Sequence, residues 1–339
     1  MRIGIIDANQ PSNRAYKGQI FSVVGGWLQW ELDRAGVTPA DPANSDILLL
    51  AFAGNVDWAA GVRSAYRYHG IDPDSQYIIT GGMITANPQI AFEYVHALAI
   101  GEAYQFVRTL CQKVQQEQPL PRIRRWIRTY DHAIEIQQFH QVAFDPNRPW
   151  KLAEPADPIA SPDTWVDWGN LPPVRSSDKV IRLIGSKGCH RKCPFCATTY
   201  SQSYRVNPYG GKLVATMNKL QARGERVQIL SNDPAHLPFF RKVHGRMDSQ
   251  SFTIDQIRDR GNRRTLIRAG VGMARFGIEG ISERIRRAFS KPIANTELYE
   301  ILGELHQHMD THLFFIVGVP FETPTDWNAF KRFFATWSD

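Results

Sequence analysis

Three of the chain's four cysteines fall within eight residues, Cys189-His190-Arg191-Lys192-Cys193-Pro194-Phe195-Cys196, spaced C-x3-C-x2-C. Thiolates are soft ligands, and a loop this tight brings three of them close enough to share one metal or cluster. The apolar run Val180–Ile184 leads into the loop and Gly185-Ser186-Lys187-Gly188 closes that run, so the loop follows a strand. No fourth cysteine lies nearby. Three thiolates on a [4Fe-4S] cluster leave one iron open to a substrate or cosubstrate. The competing chemistry is zinc held by Cys189, His190, Cys193 and Cys196 in a nucleic-acid-binding protein. Zinc sites usually pair a C-x2-C with a second, distant pair, which this chain lacks. The odd cysteine, Cys111, falls in a helical segment and reads as a core residue.

With its leading glycine and the aromatic before the last cysteine, Gly188-Cys189-x3-Cys193-x2-Cys196 resembles the cluster loop of radical S-adenosylmethionine (SAM) enzymes. The resemblance implies a [4Fe-4S] cluster on Cys189, Cys193 and Cys196 whose open iron chelates SAM. It also implies reductive cleavage of SAM to a 5'-deoxyadenosyl radical. Ser231-Asn232-Asp233-Pro234 stands where that family carries its GGEP turn, with both glycines replaced. Met273-Ala274-Arg275-Phe276-Gly277-Ile278-Glu279-Gly280-Ile281-Ser282-Glu283-Arg284 resembles the family's GIE–SER segment, and Ala288–Pro292 continues it. Gly318-Val319-Pro320-Phe321-Glu322-Thr323 is similar to its GxPgET turn, with Phe321 in place of glycine. SAM is then expected against Ser231, Asp233, Glu279 and Ser282. The bland alternatives are an ordinary Asx turn at Asp233 and a helix N-cap at Ser282. Arg284, Arg286 and Arg287 are candidates for the SAM carboxylate, with a solvated helix face the expectation for at least two. A one-electron reductant such as flavodoxin or ferredoxin is the implied partner.

The elements that position these residues form two α/β regions. Residues 1–117 alternate apolar runs (Arg2–Ala8, Asp46–Ala53, Gln76–Thr80, Tyr94–Ile100) with helical spacing (Phe21–Ala35, Ala59–His69, Glu102–Gln116). That alternation predicts a Rossmann-like, doubly wound parallel sheet. Its strands' carboxyl ends carry Asp7-Ala8-Asn9, Gly54-Asn55, Thr80-Gly81-Gly82-Met83 and Gly101-Glu102. This region resembles the cobalamin-binding-like domain that precedes many radical SAM barrels. Cobalamin is therefore an expectation, against a vestigial or substrate-binding domain without it. The D-x-H-x-x-G signature of a histidine ligand is absent.

Residues 118–178 read as a connector rich in proline and tryptophan, with a hairpin around Ile123–Ala143. There Arg122, Arg124, Arg125 and Arg128 form a basic run, expected as the solvated face of a strand, with a nucleic-acid contact as the alternative. Residues 179–339 predict a partial (β/α) TIM-type barrel of five strand–helix units from Val180. The resembling family's partial barrel usually has six, so the expectation is either a shortened barrel or a last unit that lies elsewhere; the final helix, Thr325–Trp337, carries a stripe of Trp327, Phe330, Phe333 and Phe334.

Charge divides unevenly. Residues 1–110 carry 7 Lys+Arg and 10 Asp+Glu, and the rest carry 33 and 23, for nets of −3 and +10. The basic second part suits an anionic partner or substrate, such as nucleic acid, or a pocket for the SAM carboxylate. No apolar run reaches a bilayer span and the N-terminus opens directly into a strand, so a cytoplasmic protein without membrane contact is expected. The enzymatic alternatives are B12-assisted methylation, and cobalamin-free modification of nucleic acid or peptide.

Overall fold

The computed structural model describes residues 1–7, 23–51, 58–82, 91, 93–99, 104–130, 133–135, 173–175, 179–191, 193–196 and 204–338. The chain divides into two compact units, Met1–Asp178 with Tyr200–Gln202, and Lys179–Thr199 with Ser203–Asp339.

In the first unit, β1 (Ile3–Asp7), β2 (Ile47–Ala51), β3 (Tyr77–Gly81) and β4 (Ala97–Ala99) run parallel in that order, and β5 (Ala133–Glu135) closes the sheet antiparallel. Alternate strand residues go to opposite faces. Ile3, Ile5, Ile47 and Leu49 pack with α1 (Val23–Arg34), α3 (Tyr104–Gln115) and α4 (Leu120–Thr129). Ile6, Leu48, Leu50 and Ile78 pack with α2 (Trp58–His69). Helices thus cover both faces, as near-continuous apolar strands require. The strand order runs without reversal from β1 to β4, unlike the Rossmann order. Gly81 is forced by crowding, since a Cβ there would stand 2.8 Å from the Ala99 carbonyl, and Gly82 turns the chain at φ +80°. The other expected ligand-binding turns, at Ala8-Asn9, Gly54-Asn55, Met83 and Gly101-Glu102, lie outside the described residues.

The hairpin expected from Ile123 is instead a helix. Pro119 is the N-cap residue of α4 and Pro121 lies in its first turn, where the missing N–H breaks no helical bond. Ile123 and Ile127, one helical turn apart, are buried in the sheet's core. Arg122, Arg125 and Arg128 therefore occupy the exposed face of a helix, not of a strand. Residues 136–143 of that hairpin, and Trp150, Trp165 and Trp168, lie outside the described residues. So do 176–178, which follow the short strand β6 (Val174–Arg175).

The second unit opens with β7 (Val180–Ile184). A small antiparallel pair, β8 (Ser186–Lys187) and β9 (Arg205–Val206), brackets the cysteine loop. Then come α5 (Gly210–Gln221), β10 (Arg226–Leu230), β11 (Ser249–Thr253), α6 (Arg260–Arg268), β12 (Met273–Glu279), α7 (Glu283–Ala288), α8 (Asn295–His306), β13 (Asp310–Phe315) and α9 (Pro324–Ser338). β7 pairs parallel with β10, and β11, β12 and β13 form a second parallel ladder. These are the five strands expected from Val180. After β10 only two 3-10 turns, Pro234–His236 and Phe240–Lys242, stand where a helix was expected. The helix after β11 begins at Arg260. A 3-10 turn, Gln256–Arg258, precedes it, and Asp259 caps it by accepting from Asn262 N–H at 2.8 Å.

A side chain joins the two ladders. The Gln250 amide, 1% exposed, accepts from Ile229 N–H at 3.2 Å and donates to Ile229 C=O at 2.8 Å. It acts as a substitute ladder rung between β10 and β11. Gln250→Leu leaves both Ile229 backbone groups buried and unpaired, and should lower the unfolding free energy by about 2–4 kcal/mol in urea titrations. A loss under about 0.5 kcal/mol would show that the rung is dispensable.

Candidate active site

The cysteine loop is tied to the carboxyl end of β10. Gly188 turns it at φ +64°, and its carbonyl accepts from Asn232 Nδ2 at 2.7 Å. Ser186 and Ser231 hydroxyls meet at 2.7 Å, and Ser231 Oγ accepts from Asp233 N–H at 3.2 Å. Asp233 is the hub. Its Oδ2 accepts from Arg191 Nε at 3.3 Å and from Thr253 Oγ1 at 3.2 Å, and lies 3.7 Å from His190 Nε2. Arg191 also pairs with Asp255. The loop's own cation therefore holds the loop onto two strand ends, β10 and β11.

The Asp233 side chain is wholly buried, and its Oδ1 has no hydrogen-bond partner among the described residues. Burial pushes its carboxyl up to about 6, against the lowering pull of Arg191. A buried carboxylate oxygen left unpaired is costly, and Oδ1 has an acceptor site to offer a donor.

Cys193 is buried, while Cys189 and Cys196 are half-buried. Burial raises the Cys189 and Cys193 thiols, and negative charge on the neighbouring thiols raises them further. Among the described residues no three His, Cys, Asp or Glu side chains converge as metal ligands. The donor set nonetheless fits an iron–sulfur cluster. Three thiols sit within each other's electrostatic range, and those of Cys189 and Cys193 resist ionisation until a cationic centre offsets the charge. His190, the fourth zinc ligand in the competing reading, stacks on His236 at 4.0 Å, and Tyr204 packs edge-on to both rings.

Glu279 enters from β12, where the ladder to β13 shifts register. It holds φ +64°, a left-handed conformation that costs a non-glycine residue roughly 1–3 kcal/mol. Its Oε1 accepts from Lys291 Nζ at 2.7 Å. A Cβ on Gly277 would stand 2.3 Å from that oxygen, so glycine there is a condition of the carboxylate's fold-back. Lys291 is the residue that the sequence reading passed over. Nearly buried, it also lies 5.7 Å from the Phe195 ring centroid, and its charge favours the Cys193 thiolate. It links Glu279 to the cysteine loop. The Ser-Lys-Pro ending of the matched segment was the available sign.

Ser282 is not brought to this group. Its hydroxyl accepts from Ile285 N–H at 3.3 Å as an N-cap and donates to Asp326, so its one proton is already committed. Of the three arginine candidates, Arg284 pairs with Asp326 and Arg287 lies near Glu283. Arg286 is buried rather than solvated, donating to the carbonyls of Ile293 and Gly280 and to Asn295. These residues tie α7 and the Gly318–Thr323 turn to α9 through Asp326, which also accepts from Thr323.

Residues 183–334 match the Radical SAM superfamily. No curated protein matches the sequence. Among solved structures, the radical SAM methyltransferase TsrM from Kitasatospora setae, with cobalamin and a [4Fe-4S] cluster bound, superposes with a TM-score of 0.68 at 12% identity. That match covers 100% of this chain and 71% of TsrM. TsrM with tryptophan and a SAM analogue bound gives 0.59 at 12% identity, over 92% and 63%. The cobalamin-dependent radical SAM enzyme OxsB with aqua-cobalamin bound gives 0.62 at 13% identity, over 98% of this chain and 51% of OxsB. This chain thus spans between about half and three quarters of their lengths. The likeness confirms an α/β fold with a parallel N-terminal sheet ahead of a partial barrel. Among the described residues no helix is long and apolar enough to cross a membrane.

Hydrogen bonds from Arg284, Ser282 and Thr323 hold the Asp326 carboxyl well below the usual carboxylate range. A depressed acid stabilises the fold above its unfolded value, near 4, and loses that contribution as pH falls through the folded one. Asp326→Asn should therefore lower Tm at pH 7. The gap to wild type should hold down to about pH 5 and narrow below about pH 4. A gap that widens in acid would contradict this linkage.

Proposed function

We propose a function for this chain as a member of the Radical SAM superfamily, to which residues 183–334 belong. Cys189, Cys193 and Cys196 would hold a [4Fe-4S] cluster, and SAM would lie against Ser231, Asp233 and Glu279. When bound, such a cluster supplies the electron that cleaves SAM and starts radical chemistry on a substrate. The observation that carries this reading is the buried, half-satisfied carboxylate of Asp233, tied by Arg191 to the three-thiol loop.

This chain's own residues bind, orient and exclude water. Asp233 Oδ1 offers an acceptor to an ammonium group in a water-poor setting, where the contact gains most. The Lys291–Glu279 pair places one positive and one negative group beside the loop. The cation offsets thiolate charge near Cys193, and the anion is held at the strand's end. Phe195 and Phe289, edge-on at 4.8 Å, form an apolar wall beside the last cysteine.

For the first unit we propose cobalamin binding, and B12-assisted methyl transfer as the reaction. The support is the fold likeness to cobalamin-bound TsrM and OxsB across the whole chain. Binding of aquacobalamin to the purified chain by equilibrium dialysis tests that part separately. A cytoplasmic location and a small electron-transfer protein as reductant complete the reading.

The direct test is anaerobic reconstitution with iron and sulfide, followed by EPR of the reduced chain. A [4Fe-4S]+ signal that shifts on adding SAM is expected. Stoichiometric zinc without a cluster signal would contradict the reading. In the same assay Cys193→Ala should abolish the cluster. Asp233→Asn should retain the cluster and weaken SAM binding by about ten- to a hundredfold, since a charge-assisted bond is lost.

A further inference from the structure

We infer that the concave face of the second unit is an anion-binding site, built on Arg182, Arg275 and His312, that anchors a substrate by a carboxylate or phosphate group. The word substrate rests on the radical SAM reading, whereas the binding site does not.

One set of alternate strand residues, including Leu183, Val227, Ile229, Phe252, Ala274, Phe276 and Ile278, lies in the core beneath the helices. The intervening residues face the other way, into the half-barrel. Register sets Gln228 beside Arg182, and Arg275 between Ser251 and His312. Parallel barrels fill such a layer with bulky branched side chains. Here the β7–β10 ladder carries Arg182 and Gln228 at such positions, and the β11–β13 ladder carries Ser251, Arg275 and His312. Ser251 and His312 are exposed, and Arg182 and Arg275 are half-exposed, so the layer is open to a ligand.

Two details favour a ligand over a merely wet interior. Arg182 Nε donates to Gln228 Oε1 at 2.7 Å, which holds the guanidinium in one orientation. Arg275 makes no hydrogen bond or ion pair among the described residues. The carboxylates on its face are not used to neutralise it. Glu279 is taken by Lys291, and Asp310, beside Met273 on the neighbouring strand, makes no ion pair. Guanidinium groups suit planar or tetrahedral oxyanions, which they grip by two bonds.

Depth gives the site a function. At roughly 3.3 Å per residue, Arg275 lies about 13 Å along β12 from Glu279, toward the strand's start. Thr253 and Gly277 form the layer between. An oxyanion held at Arg275 leaves the rest of a small molecule directed up the half-barrel, toward Asp233 and the thiol loop.

Isothermal titration of the full chain, purified without reconstitution, tests this with sodium pyrophosphate and with citrate as probes. The variants are Arg275→Gln, Arg182→Gln and Arg264→Gln, the last an exposed arginine of α6 that controls for loss of charge. We expect one probe or both to bind, and Arg275→Gln to weaken binding by about ten- to a hundredfold. Arg264→Gln should change it by less than about twofold, as screened surface charge does. Binding of pyrophosphate alone assigns a phosphate, and of citrate alone a carboxylate. Absence of binding to both, or equal losses in Arg275→Gln and Arg264→Gln, would overturn the inference. Because no cluster is needed, failure of the radical reading would leave this result standing, and the reverse also holds.

Discussion

The second unit is arranged around a charge that is costly to bury. Asp233 sits beyond the end of β10 with no exposed side-chain surface, and four neighbouring groups are placed by it: Arg191, Thr253, His190 and Ser231. Arg191 belongs to the cysteine loop and reaches Asp255 as well, so the loop cannot leave β10 and β11 without unpairing two carboxylates. Breaking a buried pair costs far more than forming it returns, which makes such a contact a device for position rather than stability. The three thiols inherit their placement from it.

A second constraint acts at β12. Glu279 takes a left-handed backbone, the ladder shifts beside it, and Gly277 leaves room for the returning carboxylate. Strain of this kind persists only where surrounding contacts enforce it. Here Lys291 does so, and it also approaches Phe195 and Cys193. Asp233 from one strand end and Glu279 from another thus flank the same loop. Ser282 and Asp326 form a separate network that fixes α7 and α9.

Much of this was legible in the sequence because it is local. The C-x3-C-x2-C spacing, the apolar runs and the Ser-Asn-Asp-Pro turn each announce themselves within a few residues. The five strands from Val180 are where periodicity placed them, and the alternation in residues 1–117 yields the parallel sheet. What the sequence hid was relational. Nothing in Gln250 says that it replaces a ladder rung, and nothing in Lys291 says that it meets Glu279, twelve residues earlier. The helix at Leu120–Thr129 was missed because Pro119 and Pro121 read as breakers, although a helix start tolerates them. Arg286 read as one of three candidates for the SAM carboxylate or a solvated helix face, yet it is 1% exposed, satisfied by carbonyls that only the folded turn supplies.

The central claim is that three thiols leave one metal site open beside Asp233. Mössbauer spectroscopy of the chain reconstituted with iron-57 addresses it most directly, recorded with and without SAM. The account predicts a four-iron cluster in which a single iron changes its isomer shift when SAM is added. A cluster whose irons all ignore SAM, or a chain that takes up no iron, would contradict it.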